Sequence, residues 1–232
     1  MQAESITLAD LPGANCGVCG YRTCAALADA LESKPDLIKR CIARSAAPQT
    51  APPPAQELRR ESLRDSLRDL DRADAQPVWR DTLGREFDFY LEHFPEDPGP
   101  REIILPHNPM LTRELEIGVG DLMVGRPLGM SCGCPITHCG VVIEVDRRTG
   151  VIVWCVTGPL GPREKGFKDI GYYIAEGYEG LISETRAEIK VGMRYFFQPR
   201  RCMLQWRHSG LVNYVNRGRD GLQVRLEGLW IG

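Results

Sequence analysis

The sequence predicts a mostly β protein that begins with a small α-helical module. Three features predict this architecture. The first 45 residues carry four of the nine cysteines in a glycine-rich segment that continues into helix-forming residues. From about residue 101 onward, short runs of β-forming residues alternate with glycine-containing turns, as is typical of an all-β domain. These runs also form a pattern that occurs twice along the chain.

The N-terminal module contains a tight group of cysteines. Cys16, Cys19 and Cys24 lie within nine residues, and Cys41 follows after a longer interval. Three thiolates this close in sequence cannot face one point from a regular helix or strand, so the loop must wrap around an object. Glycines between them give the backbone the freedom to do so. The segment therefore predicts a metal centre, and an iron–sulfur cluster suits such a glycine-rich loop because nearby backbone N–H groups stabilise its anionic core.

Two alternatives remain open for these four thiols. Four cysteines also form structural zinc sites, although such sites usually contain two knuckles of the C-x-x-C kind and this segment contains one. Buried or disulfide-linked thiols are the other alternative. The spacing favours the cluster over both.

Residues 11 to 41 resemble the small four-cysteine [4Fe-4S] module of Rnf-complex B subunits and of corrinoid iron–sulfur protein large subunits. The shared features are the Leu-Pro-Gly lead-in, the Asn-Cys-Gly-x-Cys-Gly core and the alanine-rich stretch after the third cysteine. The resemblance implies a low-potential setting in anaerobic metabolism, where such modules reduce a flavin, a corrinoid or a partner cluster. It implies that the ligands of one [4Fe-4S] cluster are Cys16, Cys19, Cys24 and Cys41.

Two short helices and a linker follow the cysteine loop. Residues 24 to 32 predict a short helix, and Pro35 suits the first turn of a second helix that returns Cys41 to the loop. These elements complete a cluster module over residues 1 to 44. Residues 45 to 56 contain four prolines and no large apolar side chain, which predicts an extended linker that lets the module move.

Residues 57 to 100 are expected to connect this linker to the β region. Residues 57 to 74 predict an exposed helix with a narrow leucine stripe. An aromatic cluster comes next, and core packing is its expected role. Its members are Trp79, Phe87, Phe89, Tyr90 and Phe94.

The β region contains two copies of one pattern. Gly120 and His138 of the first copy recur as Gly192 and His208 of the second, each within the same arrangement of apolar residues. A strand ending in Val-Gly, a loop, and a second strand followed by a turn outline a small, strongly bent SH3-like β-barrel.

The sequence thus predicts tandem SH3-like small β-barrels after the linker and helix. The first barrel repeat covers residues 101 to 158, and the second covers residues 187 to 232. Residues 159 to 186 are expected to be a connector with one short helix. Such barrels serve many purposes, so the fold alone does not indicate a chemistry.

A second cysteine group lies in a loop of the first copy that the second copy does not share. Three thiols within eight residues suggest an additional iron–sulfur cluster or zinc ion. The candidate ligands are Cys132, Cys134, Cys139 and Cys155, with His138 or Cys202 as alternatives. Buried free cysteines that behave as small apolar side chains are the competing interpretation. The equivalent positions of His138 and His208 favour a structural hydrogen bond over a catalytic role for both.

The composition limits the partners of the protein. Lys and Arg number 29 against 31 Asp and Glu, and the net charge of -2 excludes a strongly basic surface for nucleic acid or anionic membranes. No apolar run is long enough to span a bilayer, and the N-terminus has no signal-peptide pattern, so a cytoplasmic location is expected.

Together these features predict a cytoplasmic iron–sulfur electron-transfer protein that docks on a larger redox enzyme or complex, without nucleic acid binding or membrane insertion. The first alternative is a metalloenzyme subunit that uses the second cysteine group. The second is a factor that delivers a cluster or metal to a client protein. No catalytic residue is predicted, because the chain has no Ser-His-Asp set, phosphate-binding glycine loop or dinucleotide fingerprint.

Overall fold

The structure, a computed structural model, describes residues 6–45, 78–128, 136–158, 160–200, 202 and 204–231. The helix predicted at residues 57 to 74, nearly all of the predicted linker, and Cys132 and Cys134 lie outside the described residues. Within the described ranges, no helix is both long and apolar enough to cross a membrane. We refer to residues 6–45 as the helical module and to residues 78–231 as the β body.

The helical module is a chain of short helices around a small apolar core. Its elements are a 3₁₀ turn Leu8–Asp10, helix α1 Cys24–Ser33, a 3₁₀ helix Pro35–Arg40 and helix α2 Ile42–Ser45. The two helices predicted after the third cysteine are therefore present. The Thr23 hydroxyl caps α1 by accepting the N–H of Ala26 at 3.1 Å. Leu27 and Leu31 bury one face of α1 against Leu11 and the thiols of the module.

In the described part of the β body, nine strands form one sheet with the order β1-β7-β8-β9-β6-β2-β5-β4-β3 and additional pairings of β6 with β1 and β3. Two short helices, Leu111–Glu114 and Leu160–Lys165, lie between strands. The strands are β1 Phe89–Glu92, β2 Arg101–Pro106, β3 Leu122–Pro127, β4 His138–Val145, β5 Ile152–Val156, β6 Lys168–Thr185, β7 Arg194–Pro199, β8 His208–Gly218 and β9 Gly221–Ile231. The mostly β character predicted from the sequence is confirmed.

The segment predicted as a connector, residues 159 to 186, contains β6, the longest of the described strands. The expected short helix is present, but the prediction missed the strand that follows it. The glycines of β6 resemble turn residues in the sequence, whereas two of them are required because neighbouring strands pack closely against them. A Cβ atom at Gly177 would lie 2.8 Å from the carbonyl oxygen of Leu226, and one at Gly180 would overlap the carbonyl oxygen of Glu92.

The two copies of the sequence pattern make matching backbone contacts. The N–H of Gly120 donates to the carbonyl oxygen of Val142 at 2.8 Å, and the N–H of Gly192 donates to that of Val212 at the same distance. Both glycines have positive φ angles, 89° and 85°. The β3–β4 and β7–β8 pairs are both antiparallel. Corresponding residues of the two copies thus occupy corresponding places in the sheet.

A hydrophobic core joins the two halves of the β body. Met123, Val142 and Trp154 come from the first copy, and Phe197 and Val212 from the second. The expected core role of the aromatic cluster is confirmed for its four buried members, Phe87, Phe89, Tyr90 and Phe94. Residues of both copies thus pack in one core.

Candidate metal centre

The four cysteines predicted as cluster ligands line one cavity of about 120 Å³ in the helical module. Cys19 and Cys41 are buried, Cys24 is partly buried and Cys16 is exposed. All four are free thiols, not disulfides. The structure therefore brings together residues up to 25 positions apart in sequence, with Cys16 on the solvent side of the cavity.

The backbone of the cysteine loop turns sharply at its glycines. Gly13, Gly17 and Gly20 have φ angles of 68°, 72° and 89°, a region that residues with a side chain rarely adopt. The N–H of Gly20 donates to the carbonyl oxygen of Gly17 at 2.9 Å and closes a turn that contains the second cysteine, Cys19. These conformations bend the loop around the cavity, as the sequence predicts.

The third cysteine sits at the first residue of α1. Its backbone N–H donates to Oδ1 of Asn15 at 2.8 Å, which ties the loop to the start of the helix. The N-terminal end of a helix carries a partial positive charge that stabilises a thiolate. Asn15 thus holds Cys24 at the positive end of the α1 dipole.

Most of the other residues around the cavity are small or apolar, and its polar members are Asn15, Tyr21 and Thr23. Pro12, Ala14, Leu27, Ile42 and Ala43 line it together with the cysteines. Four thiols and an apolar lining match the donor set and the low-dielectric surroundings in which proteins hold iron–sulfur clusters. The residues present therefore fit an iron–sulfur cluster.

A buried cation from the β body lies next to this cavity. Arg113 is 3% exposed and donates from Nη1 to the carbonyl oxygen of Arg147 at 2.8 Å and from Nη2 to that of Val18 at 3.4 Å. Burial lowers the pKa of Arg113, whereas negative charge on Cys19 and Cys41 acts in the opposite direction. The guanidinium is thus close enough to two of the four thiols to interact with their charge.

Ion pairs and packing join the helical module to the β body. Arg40 pairs with Glu114, and Lys39 Nζ lies 3.0 Å from Glu116 Oε2. Met110 packs against the cysteine loop at Gly20, where an added Cβ atom would lie 3.5 Å from the methionine sulfur. The module contacts the β body through the segment around the one-turn helix Leu111–Glu114.

Of the predicted second cysteine group, the structure describes Cys139 and Cys155 and the alternative ligands His138 and Cys202. A small cavity of about 20 Å³ is lined by Cys139 and Cys202 together with His138 and His208. Cys155 is fully buried in β5 and does not line this cavity. Burial raises the pKa of Cys139. Among the described residues, no three His, Cys, Asp or Glu side chains are close enough together to bind a single metal ion.

Both histidines take part in hydrogen bonds of the β body. His138 Nδ1 lies 2.7 Å from the Tyr173 hydroxyl and 3.4 Å from the fully buried carboxylate of Glu102. His208 Nδ1 lies 2.9 Å from the carbonyl oxygen of Trp206, and burial lowers the pKa of His208 to about 4. These contacts agree with the structural role expected for both residues.

Sequence reasoning missed two charged residues that the structure places at these sites, Arg113 and Glu102. Glu102 accepts a hydrogen bond from Trp154 Nε1 at 2.8 Å in addition to its contacts with Tyr173 and His138. The available signal was its position in β2, where a carboxylate directly precedes an apolar run. Arg113 had no such signal, because its segment reads as an ordinary polar turn.

The comparisons with known proteins agree with the cavity. A protein family described as "Putative Fe-S cluster" matches residues 11–43, a range that includes all four cysteines. No solved structure matches the chain. The N-terminal segment is thus an iron–sulfur cluster segment, which places the chain in the class of iron–sulfur proteins.

The chain belongs to the family of the uncharacterized protein MJ0119 from Methanocaldococcus jannaschii. The two sequences are 31% identical over 223 residues, which is 94% of this chain and 89% of the relative. The similarity therefore extends over both the helical module and the β body.

Proposed function

We propose that the protein is an electron-transfer protein in which Cys16, Cys19, Cys24 and Cys41 hold one [4Fe-4S] cluster. The convergence of these four thiols on one cavity, within the segment matched by an iron–sulfur family, carries the proposal. Such a cluster would supply a site that takes up and releases one electron without making or breaking bonds in the protein.

The shape of the site favours a cluster over zinc. A zinc ion draws four ligands into a tight tetrahedron, with zinc–sulfur distances of about 2.3 Å. Here the four thiols surround a cavity of about 120 Å³. A cluster separates its ligands by its own iron and sulfide atoms, so this spacing suits it.

The protein residues around the site have separate tasks in this function. Leu11, Leu27 and Leu31 keep water from the inner side of the cavity. Cys16 and Val18 leave the outer side accessible, and Val18 is 40% exposed. A redox partner would approach this outer side, while the β body serves as the docking surface for a larger redox enzyme or complex. The resemblance to low-potential modules supports a role in anaerobic metabolism, in the cytoplasm.

We infer that the β body consists of two SH3-like barrels formed by the internal repeat. The N-terminal part of β6 pairs with β2 and β3, so the pairings β3-β4-β5-β2-β6 return to β3. Its C-terminal part pairs with β9 and β1, so the pairings β6-β9-β8-β7-β1 return to β6. Each copy thus contributes to one five-strand cycle, and both cycles share β6.

Anaerobic purification followed by iron, sulfide and zinc analysis tests the proposed function. We expect about four irons and four sulfides per chain for a [4Fe-4S] cluster, and a low-temperature electron paramagnetic resonance signal after reduction with dithionite. Cys19→Ser should remove the signal and the visible absorption. Stoichiometric zinc without sulfide would contradict the proposal. Full retention of the cluster through repeated reduction and reoxidation would argue against a factor that delivers clusters to other proteins.

A second candidate function, a redox subunit with an additional metal centre, is favoured by one observation. Cys139 and Cys202, from different copies, line the same cavity as His138 and His208. Thiolate and imidazole are the ligands that zinc and iron–sulfur centres use. In that case Cys202→Ser should lower the total metal content while the signal of the first cluster stays unchanged. Equal metal content in both proteins would contradict this second centre.

A further inference from the structure

A strongly cationic cavity lies between the helical module and the β body. Its volume is about 250 Å³. Four of its six lining residues carry a positive charge and one carries a negative charge. They are Ile38, Lys39, Arg44, Arg113, Glu116 and Arg147. The excess of positive charge is unusual for a chain with a net charge of -2.

The positive charges of this cavity are only partly compensated by protein groups. Lys39 pairs with Glu116 at 3.0 Å, and Arg44 donates two hydrogen bonds to the carbonyl oxygen of Asp10. Arg113 and Arg147 donate to backbone carbonyl oxygens and, within the described residues, to no carboxylate. The Nε groups of both arginines are buried and have no hydrogen-bond partner among the described residues.

A buried guanidinium without an anion is costly, because its charge has lost water and gained no counter-charge. Unpaired buried donors are also rare in proteins and call for a specific explanation. Arginine presents a planar set of donors that matches phosphate and carboxylate groups in two-point contacts. An anion in this cavity would therefore neutralise the buried charge and accept hydrogen bonds from the unpaired donors.

We propose that this cavity binds a small oxyanion of the phosphate or carboxylate class, held by Arg113 and Arg147. Its volume is below the range of about 300 to 1,000 Å³ that is usual for pockets of drug-sized ligands, so a phosphate or a short carboxylate suits it. Lys39 and Arg44 at its edge attract the anion from solvent.

Occupancy of this cavity should be coupled to the metal centre, a consequence that rests on the proposed function. The Arg113 guanidinium donates to the carbonyl oxygen of Val18, next to Cys19, so an anion bound to Arg113 partly neutralises a cation that favours electron uptake by the centre. The reduction potential of the centre should therefore fall when the anion binds. By reciprocity, reduction should weaken anion binding by the same factor.

Calorimetric titration of the holoprotein at constant ionic strength tests the anion site. Inorganic phosphate and succinate are the two probes, and chloride is the ionic-strength control. We expect saturable binding of at least one probe at one site per chain. Phosphate binding alone indicates a phosphate ligand, and succinate binding indicates a carboxylate ligand. Binding of neither probe would overturn the proposal.

Two neighbouring arginines provide a matched pair of variants. Arg147→Gln removes a lining guanidinium and should weaken binding about tenfold or more, the effect of losing a charged hydrogen bond. Arg148→Gln changes an exposed neighbour outside the lining and should leave the affinity unchanged. Equal affinities in the two variants would show that the bound anion lies elsewhere.

A potentiometric titration with and without the bound probe tests the coupling. The expected result is a lower potential in its presence for the wild-type protein, and a smaller shift for Arg147→Gln at a probe concentration that saturates only the wild type. Binding that leaves the potential unchanged would overturn the coupling but not the anion site. If the protein binds zinc in place of a cluster, the proposed electron-transfer function is wrong. The calorimetric test of the anion site can still be carried out on the zinc-bound protein.

Discussion

Asn15 accepts a hydrogen bond from the backbone N–H of Cys24 at 2.8 Å. This contact connects the beginning of the cysteine loop with the third cysteine at the start of α1. Asn15 has a φ angle of 47°, in the left-handed region that asparagine tolerates better than most residues with a side chain. One side chain thus fixes both the backbone turn before Cys16 and the position of Cys24.

Replacing Asn15 should weaken the binding of iron at the metal centre without unfolding the β body. Asn15→Gly keeps the backbone angle but loses the hydrogen bond, at a cost of about 1 kcal/mol. Asn15→Ala also strains the backbone, at a further cost of about 1 kcal/mol. We expect iron loss to a chelator to be faster in the glycine variant and fastest in the alanine variant. The exposed Asn213→Ala is the control, and equal rates in all proteins would contradict the role of Asn15.

Asp81 should make the stability of the β body depend on acidic pH. Burial alone would raise the pKa of Asp81, but hydrogen bonds from the Arg85 side chain and from the backbone N–H groups of Arg207 and Arg85 outweigh it and lower the pKa to about 2. The unfolded chain has a pKa of about 3.9 for this group, so the stabilisation is complete above about pH 4 and is lost as the pH falls through about 2.

Urea unfolding of Asp81→Asn, followed by tryptophan fluorescence, measures this contribution. At pH 7 the variant should be less stable than the wild type by about 2 kcal/mol. The difference should shrink between pH 4 and pH 2, because the wild-type carboxylate becomes protonated there. Asp220→Asn, at an exposed turn, should show no comparable change. A pH-independent difference would show that Asp81 acts through something other than its charge.

Glu102 should be required for folding of the β body. Its carboxylate accepts hydrogen bonds from Trp154 Nε1 and the Tyr173 hydroxyl, and all three side chains are fully buried. Glu102→Leu removes the acceptor of the buried Trp154 indole N–H, whereas the Tyr173 hydroxyl keeps its contact with His138, and should lower the free energy of unfolding by about 1–3 kcal/mol. Glu102→Gln retains an acceptor and should cost less. Thermal unfolding followed by near-ultraviolet circular dichroism distinguishes them, and equal losses would contradict the hydrogen-bond explanation.

Gly140 and Gly210 occupy equivalent positions in the two copies and should respond differently to alanine. At Gly140 the new Cβ atom would lie 2.6 Å from the carbonyl oxygen of Cys155, a backbone atom that cannot move aside easily. At Gly210 the nearest atom would be a side-chain carbon of Leu226 at 3.2 Å. Gly140→Ala should therefore destabilise by about 1–3 kcal/mol or more, and Gly210→Ala by less. The reverse order in urea unfolding would contradict this packing.

The local parts of the metal centre were predictable from the sequence, and the distant parts were not. The spacing of Cys16, Cys19 and Cys24, with glycines between them, already indicates a loop that surrounds a metal. The Pro35 signal for the helix before Cys41 depends equally on near neighbours. Arg113 comes from the β body, and its place beside the thiols depends on how two separately folded regions pack together. A local sequence pattern does not indicate such a contact.

In the fold too, elements set by a local sequence pattern were predictable, and elements set by contacts with distant strands were not. Strand β4 and its counterpart β8 follow simple apolar patterns, and their positions were predictable. Strand β6 contains several glycines, and its strand conformation is determined by pairing with β1, β2, β3 and β9. Cys139 and Cys202, which are far apart in the sequence, line one cavity for the same reason. Which strands become neighbours is decided by the whole sheet.

The shared strand β6 also determines how the β body unfolds. Because its 18 residues pair with strands on both sides of the molecule, neither copy can lose its structure without exposing hydrogen-bonding groups of the other. The two copies should therefore melt together in one cooperative calorimetric transition, not in two separate ones. Excision of either copy should accordingly yield an insoluble fragment, since it would leave a long unpaired strand edge.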